Sequence, residues 1–428
     1  MTKQPHPDPD SIADCVLETF DALPQKYKPR LLADGRREWV PLAGIVLSRV
    51  DDREDRDSLT CAALATGMKC LPREKVEAGE IQGNVLHDWH AEVLAIRGFN
   101  RWILDECEEL VRREEKEEGT WVRWRDERRM QMLEEGDRVE GKEETFEPPF
   151  ELQPNISIHM YCSQAPCGDA SMELTMAEQE DATPWTTPPP SAISSSPSEP
   201  SEEITMLGRG HFDQLGIVRR KPSRPDAPIT LSKSCSDKLA LKQITGLLNS
   251  MTTLLVHPDR TYLSTLVLPE SQHVPSAVER AFGPTGRMAP LTSKTWRKTG
   301  YGFKPFEVLT TKREFDFSKR TGAVPSNLSA LYTPHRSEML TKGVLQGRKQ
   351  LDAKGASSVS RRLLWKKVLA IAVLGGIPAL ERVLRKETYE QVKQSRQLEG
   401  REEAKRTARE ISLRGWRRND GDERWGLD

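Results

Sequence analysis

Long apolar runs are missing from this sequence. The longest, Val368 to Leu380, is interrupted by Gly375-Gly376 and Pro378, well short of the roughly 18 residues a membrane span needs. The opening MTKQPHPDPDS lacks the basic and apolar stretches of a signal peptide, so secretion is not expected. The seven cysteines are odd in number and widely scattered, which excludes a disulfide framework. In a reducing compartment, cysteines near histidine point to metal instead. Hydrophobic residues make up only 36% and charged residues 30%, against about 45–50% and about 25% in ordinary globular chains. Core-forming segments must therefore alternate with solvated inserts. Neither charge is in excess: 64 basic residues against 65 acidic leave a net charge of −1, so contact with nucleic acid would rest on local patches. No fixed-period repeat is present.

What is there sorts into elements. Asp10 to Phe20 has helical apolar spacing, with Ile12, Val16, Leu17 and Phe20 on one side. Trp39 to Val50 and Leu59 to Gly67 are apolar and β-prone, and the polar DDREDRD between them predicts a hairpin. His90 to Leu104 reads as a buried helix, and Ile156 to Cys162 alternates like a strand. Residues 106–148 are rich in Glu, Arg and Lys and read as a solvated, helical charged insert. Residues 177–206 are Pro/Ser-rich and read as a disordered insert, because they hold too little apolar surface to order themselves. Further on, Lys238 to Thr253 predicts a helix, Thr261 to Leu268 a strand, Val359 to Leu374 an amphipathic helix, and Lys386 to Arg418 a basic helical tail.

Three short segments carry chemistry. They are His87-Asp88-Trp89-His90-Ala91-Glu92 opening a helix, Ala165-Pro166-Cys167-Gly168-Asp169 after a strand, and Ser234-Cys235-Ser236-Asp237-Lys238 opening another helix. Together they offer one histidine and two cysteines as metal ligands, with a carboxylate two residues past the histidine. Three protein ligands leave the fourth tetrahedral position of zinc for water, whose pKa zinc lowers towards neutrality. Glu92 is close enough to take that water's proton and hand it to a leaving nitrogen. Cysteines at helix N-termini favour the thiolate form that binds metal. His-x-Glu followed by Pro-Cys is the signature of zinc nucleobase deaminases. That signature continues Pro-Cys-x-x-Cys, but position 170 is Ala, so the third ligand comes from elsewhere and Cys235 is the candidate. Taken singly each motif is an ordinary helix start or a buried cysteine; in this order they reinforce one another.

These segments resemble the adenosine deaminase (A-to-I editase) domain family, shared by RNA-editing enzymes and tRNA-specific adenosine deaminases. The resemblance extends over most of the chain, through Trp39-Val-Pro-Leu-Ala, Thr66-Gly-Met-Lys-Cys70, Arg219-Arg-Lys-Pro-Ser-Arg-Pro-Asp226 and Leu345-Gln-Gly-Arg348. It implies an α/β fold of the three-layer α/β/α cytidine-deaminase-like kind, with a mixed sheet and an added C-terminal helical part. It implies zinc (Zn2+) held by His90, Cys167 and Cys235 with Glu92 as the catalytic proton shuttle. It implies inositol hexakisphosphate in a basic cavity, at positions matching Arg97, Ser232, Lys238, Ser250, Lys366, Tyr389, Lys393 and Trp416. A relay from the phosphate to the zinc site would run through Lys238, Asp88 and Lys221. Ile96 and Leu241 stand where the editing enzymes carry cavity-lining arginines. Cations converging on one core repel one another unless an anion joins them.

Only about 30 residues precede the first catalytic strand, too few for a double-stranded-RNA-binding domain. Lys221-Pro-x-Arg-x-Asp226 and Ser171 after Pro-Cys-Gly-Asp-Ala resemble the tRNA enzymes, a type implied to deaminate adenosine 37 beside the anticodon of alanine tRNA. A base in that loop is already partly unstacked and cheap to extrude. Lys69, Arg219, Arg220 and Arg224 are the candidates to hold RNA phosphates at the pocket mouth. The expectation is a single deaminase domain over residues 1–428, intracellular in nucleus or cytoplasm, monomeric, acting on neither DNA nor membrane. The competing readings are the same chemistry on another RNA, a free-nucleoside or cytidine deaminase, and a catalytically inactive RNA-binding relative.

Overall fold

The chain was analysed as a computed structural model that describes residues 6–49, 58–113, 121–125, 147–178, 206–207, 214–221, 227–296 and 300–427. At its centre lies an eight-stranded mixed sheet. Its strands are β1 (Leu42–Arg49), β2 (Ser58–Thr66), β3 (Ile156–Cys162), β4 (Thr265–Pro269), β5 (Glu307–Thr311), β6 (Ser329–Thr333), β7 (Arg336–Thr341) and β8 (Val344–Leu345). Their order across the sheet is β5-β4-β3-β1-β2-β6-β7-β8. The pairs β5–β4 and β4–β3 are parallel, and the rest are antiparallel. The predicted hairpin is thus β1–β2, paired from Leu42↔Thr66 to Arg49↔Ser58 with a register shift between Ile45 and Val46.

Period-two alternation sends β1 side chains to two separate cores. Leu42 and Val46 join the cluster under α1 (Pro9–Asp21), with Ile12, Val16 and Phe20. Ala43, Ile45 and Leu47 face the other layer, built on α2 (Ala91–Arg112). Two glycines let these helices sit close. A Cβ at Gly44 would lie 2.5 Å from Val16 of α1, and one at Gly98 of α2 would lie 2.8 Å from Leu331 of β6. The middle layer is therefore covered on both faces, as expected for the three-layer class.

Behind α2 lies the C-terminal helical part: α3 (Cys235–Thr245), α4 (Ser250–Thr253), α5 (Pro275–Phe282), α6 (Arg361–Leu374), α7 (Pro378–Leu384), α8 (Tyr389–Lys393) and α9 (Glu399–Ile411). Trp365, Tyr389 and Trp425 pack together there, with Tyr389 and Trp425 stacked at 4.8 Å and 13°. No helix among the described residues is long and apolar enough to cross a membrane.

Several sequence expectations need correction. The charged insert does not begin at residue 106: α2 continues to Arg112, because Cys107 and Leu110 keep its apolar face in the core. Residues 122–124 and 150–152 pair as a two-stranded sheet, while 114–120 and 126–146 lie outside the described residues. Most of the Pro/Ser-rich stretch, 179–205, lies outside them too. The helix expected over Lys238 to Thr253 is two helices, broken at Gly246 with φ +63°. The basic tail is α8, a short 3-10 turn and α9, followed by a turn and irregular chain.

Candidate active site

The first functional side chain, His90, is fixed by its backbone. Residues 67–71 run beside 87–91, with hydrogen bonds from Leu71 N to His87 O, Trp89 N to Lys69 O and Ala91 N to Gly67 O. Gly67 has φ +148°, and a Cβ there would lie 2.1 Å from the Trp89 carbonyl. His90 thereby becomes the N-cap of α2, which puts Glu92 in the helix's first turn. Glu92 is only 7% exposed. Burial raises its pKa above the ordinary carboxyl value, and the Cys167 sulfur adds to the effect. A raised carboxyl suits a group that must both accept and return a proton.

Asp88 organises the centre. One oxygen accepts from the His90 backbone at 2.9 Å and faces His90 Nδ1 at 3.0 Å. The other accepts from Lys221 at 2.9 Å, and also from Ser232 and Lys238. Burial works to raise the Asp88 pKa, yet Lys221, Lys238 and His90 together hold it well below the usual carboxylate range. The expected relay Lys238–Asp88–Lys221 is thus a contiguous set of ion pairs, with Ser232 bridging Lys238 and Asp88.

The cysteines meet where their two segments interlock. The Cys235 N–H donates to Cys167 Sγ at 3.3 Å, and Ser236 N donates to the Cys167 carbonyl at 3.0 Å. Ser236 Oγ donates to the Pro166 carbonyl at 2.8 Å. Gly168 has φ +104°, and a Cβ there would lie 2.4 Å from the Ser234 side chain. Lys221 donates to Cys235 Sγ at 3.2 Å. The hydrogen bond from Cys235 holds Cys167 well below the ordinary thiol pKa, with Lys221 and His90 adding to it against burial. A half-buried Cys167 thiolate, the buried Cys235 thiol against it and an imidazole are soft donors of the kinds zinc takes.

Among the described residues, the group whose ligand atoms lie within 4.8 Å of one another is Cys70, Asp88 and His90. Asp88 is a poor ligand there, because both its oxygens are already taken by Lys221, Ser232, Lys238 and His90. By donor type, the imidazole of His90 and the sulfurs of Cys167 and Cys235 suit zinc better than that carboxylate-containing group. Cys70, with Sγ 3.6 Å from His90 Nδ1, is a neighbour the sequence reading left among the structural cysteines.

A cavity of about 230 Å³ opens behind α2. Four of the eight expected anion-site residues line it: Arg97, Lys238, Tyr389 and Trp416. Ser232 lies beside it on Lys238. Ser250 is buried at the start of α4, and Lys393 pairs with Glu423 at 2.5 Å. Lys366 does not converge on the cavity. It is exposed on the other side of α6, in a groove with Glu108, Arg112 and Leu369. From that helix, Leu364 and Arg361 face the cavity instead.

Ile96 and Leu241 do line it, and so does Lys242, which the sequence reading missed. Lys242 follows Lys238 by four residues, so both fall on one face of α3. Arg401 and Lys405 of α9 crowd the same region. Burial pushes Lys242 well below its ordinary pKa, and Arg401, Lys405 and Arg97 add to the effect. Burial and Arg401 bring Lys405 down to about 7. Burial and Arg361 bring Arg97 down to about 10.

The expected RNA contacts fare unevenly. Lys69 is partly exposed and donates to Asn327. Arg219 and Arg220 are only 1% and 4% exposed, so they do not line an open mouth. Their strand pairs with the third motif instead, through Ser234 N to Arg219 O and Lys221 N to Ser232 O. Their exposure could not be read from two adjacent basic residues. Arg224 lies outside the described residues. His87 is no ligand: it is tied to Asp422 at 3.0 Å and to Arg361.

The sequence model of the adenosine-deaminase (editase) domain matches residues 63–420. A Schizosaccharomyces pombe protein named tRNA-specific adenosine deaminase 1 is 42% identical over 308 residues, covering 72% of this chain and 69% of that protein. Its namesake in Saccharomyces cerevisiae is 28% identical over 61% of this chain and 58% of its own length. The mouse double-stranded RNA-specific editase B2 is 25% identical over 54% of this chain but 27% of its own.

Proposed function

Since this chain belongs to the adenosine-deaminase (editase) domain family, we propose that it is an enzyme that converts adenosine to inosine in tRNA. Within that reading, the substrate is adenosine 37 beside the anticodon of alanine tRNA, and zinc is the resident metal. The observation that carries it is a buried carboxyl, Glu92, two residues from His90 and electrostatically coupled to Cys167. A zinc ion on His90, Cys167 and Cys235 would supply the Lewis acidity that makes a water nucleophilic near neutral pH.

Glu92 then accepts a proton as the water oxygen bonds to C6 of the purine. It returns that proton to the exocyclic nitrogen as the C6–N bond breaks and ammonia leaves. Asp88 keeps the His90 ring oriented through its contact with Nδ1, the role outer partners of metal-bound histidines commonly play. Inositol hexakisphosphate is the anion we assign to the cavity. Support comes from the cations Arg97, Lys242 and Lys405, each depressed by burial and by neighbouring cations, a cost an anion would offset.

An inactive RNA-binding relative is disfavoured, because a structural zinc site has no use for an uncoordinated buried carboxyl beside its ligand. The deciding experiment is an inosine readout on total tRNA treated with wild-type protein or Glu92→Gln, with metal content measured on both. Inosine made by wild type alone, beside the anticodon of alanine tRNA and with zinc in both proteins, supports the reading. Zinc without inosine in any RNA overturns it.

A further inference from the structure

Both cysteine segments share one form, Cys-x-Asp: Cys167-Gly168-Asp169 and Cys235-Ser236-Asp237. The two aspartates are 1% and 0% exposed, and an arginine holds each. Arg280 Nε donates to Asp169 Oδ1 at 3.0 Å, and its Nη2 donates to the Asp169 carbonyl at 2.7 Å. Arg287 Nη1 donates to Asp237 Oδ1 at 2.6 Å, with side chains 4% and 0% exposed. Both arginines come from α5 and the turn that follows it.

We propose that Arg280 and Arg287 form a paired clamp that sets the position of the two sulfur ligands; the proposal rests on the zinc deaminase reading above. The two arginines are rigid relative to one another. Arg287 N donates to the Arg280 carbonyl at 3.0 Å, and Arg287 Nε donates to the Ala281 carbonyl at 3.0 Å. The far ends are rigid as well. Arg280 also grips Glu173 with Nη1 at 2.6 Å and Nη2 at 2.9 Å, and Asp169 accepts from Gly216 N at 2.8 Å. The second oxygen of Asp237 accepts from Arg219 N at 2.9 Å and from Ser234 Oγ at 2.6 Å.

Each aspartate is two residues from its cysteine, and Gly168 is wedged against Ser234 with no room for a Cβ. A shift of either aspartate is therefore transmitted to a sulfur. Arg280 and Arg287 touch no ligand atom; they are positioning residues, and outer partners of this kind tune a metal centre without entering it.

The test is metal affinity by chelator competition on the full chain, with cobalt(II) as a spectroscopic probe of thiolate ligation. The variants are Arg280→Met, Arg287→Met, Arg287→Lys and Asp237→Asn. The expected result is metal bound on the order of tenfold to a hundredfold more weakly and a displaced thiolate-to-cobalt band, with circular dichroism and a cooperative melt retained. Arg287→Met combined with Asp237→Asn should lose no more than either change alone, because both break one interaction. Arg287→Lys keeps the charge but cannot reach both Asp237 and the Ala281 carbonyl, so it carries the same expectation if Arg287→Met fails to fold. Wild type that binds metal beside variants of unchanged affinity and band, altered only in melting temperature, overturns the clamp alone. Wild type that binds no metal overturns the zinc reading and the clamp with it.

Discussion

In the proposed mechanism Glu92 bears the proton traffic, so its replacement separates chemistry from assembly. Glu92→Gln should lower deamination by on the order of 10²–10⁴ while zinc content stays at the wild-type level, read by inosine formation and metal analysis. His159 makes a second prediction. Its ring is buried between Ser48 Oγ at 2.9 Å and Thr265 Oγ1 at 2.7 Å. Burial, helped by His6, lowers its pKa from 6.5 to about 4. The unfolded chain then binds a proton that the native chain refuses, so stability is lost as pH falls from about 6.5 to 4. His159→Gln should flatten that limb in melts recorded across the same range. His90, Glu92 and Cys167 were legible because their motifs are local and ordered. Cys235 was legible only through the missing ligand at Ala170. Lys366 was misplaced because one helical residue is about 100° of rotation: Leu364 faces the cavity, and two positions on the chain points away.

Among elements, α1 on β1 is the contact most exposed to a single change. Gly44→Val would drive a side chain into Val16, already 2.5 Å from a bare Cβ. Overpacking of this kind costs about 1–3 kcal/mol, so a denaturant midpoint well below wild type is expected, and an unchanged midpoint would show that α1 can shift freely. The strands β1, β2 and β3 and the start of α2 could be read from alternation and period. The meander β6–β7–β8 could not. Its middle strand Arg336–Thr341 is mostly half-exposed, so it shows no clean alternation of polar and apolar residues. The far end of α2 was hidden for the opposite reason: Glu and Arg dominate its composition, while only Cys107 and Leu110, with half-buried Val111, carry its apolar face.

For the whole molecule, an anion seated among these cations, as proposed, would tie stability to its presence. Lys405, depressed to about 7 in the fold against 10.5, stays neutral where the unfolded chain is protonated. Protein stripped of anion should therefore melt higher at pH 9 than at pH 7. Added inositol hexakisphosphate should raise the pH 7 melt by ligand linkage. Lys242→Met should stabilise the stripped protein and weaken that response; a melt indifferent to the polyanion in both proteins would remove the cavity assignment. The cavity wall draws on distant parts of the chain: Arg97 and Lys238 early, Arg361, Tyr389 and Trp416 late. Late residues also lock it. The Tyr389 and Glu390 backbones donate to Trp425 and Glu423, and Asp422 accepts from Gly83 and His87. During synthesis, which runs from the N-terminus, Gly83 and His87 wait for a partner, Asp422, more than three hundred positions away. The late part of the cavity wall is therefore locked only once Trp425 has emerged from the ribosome.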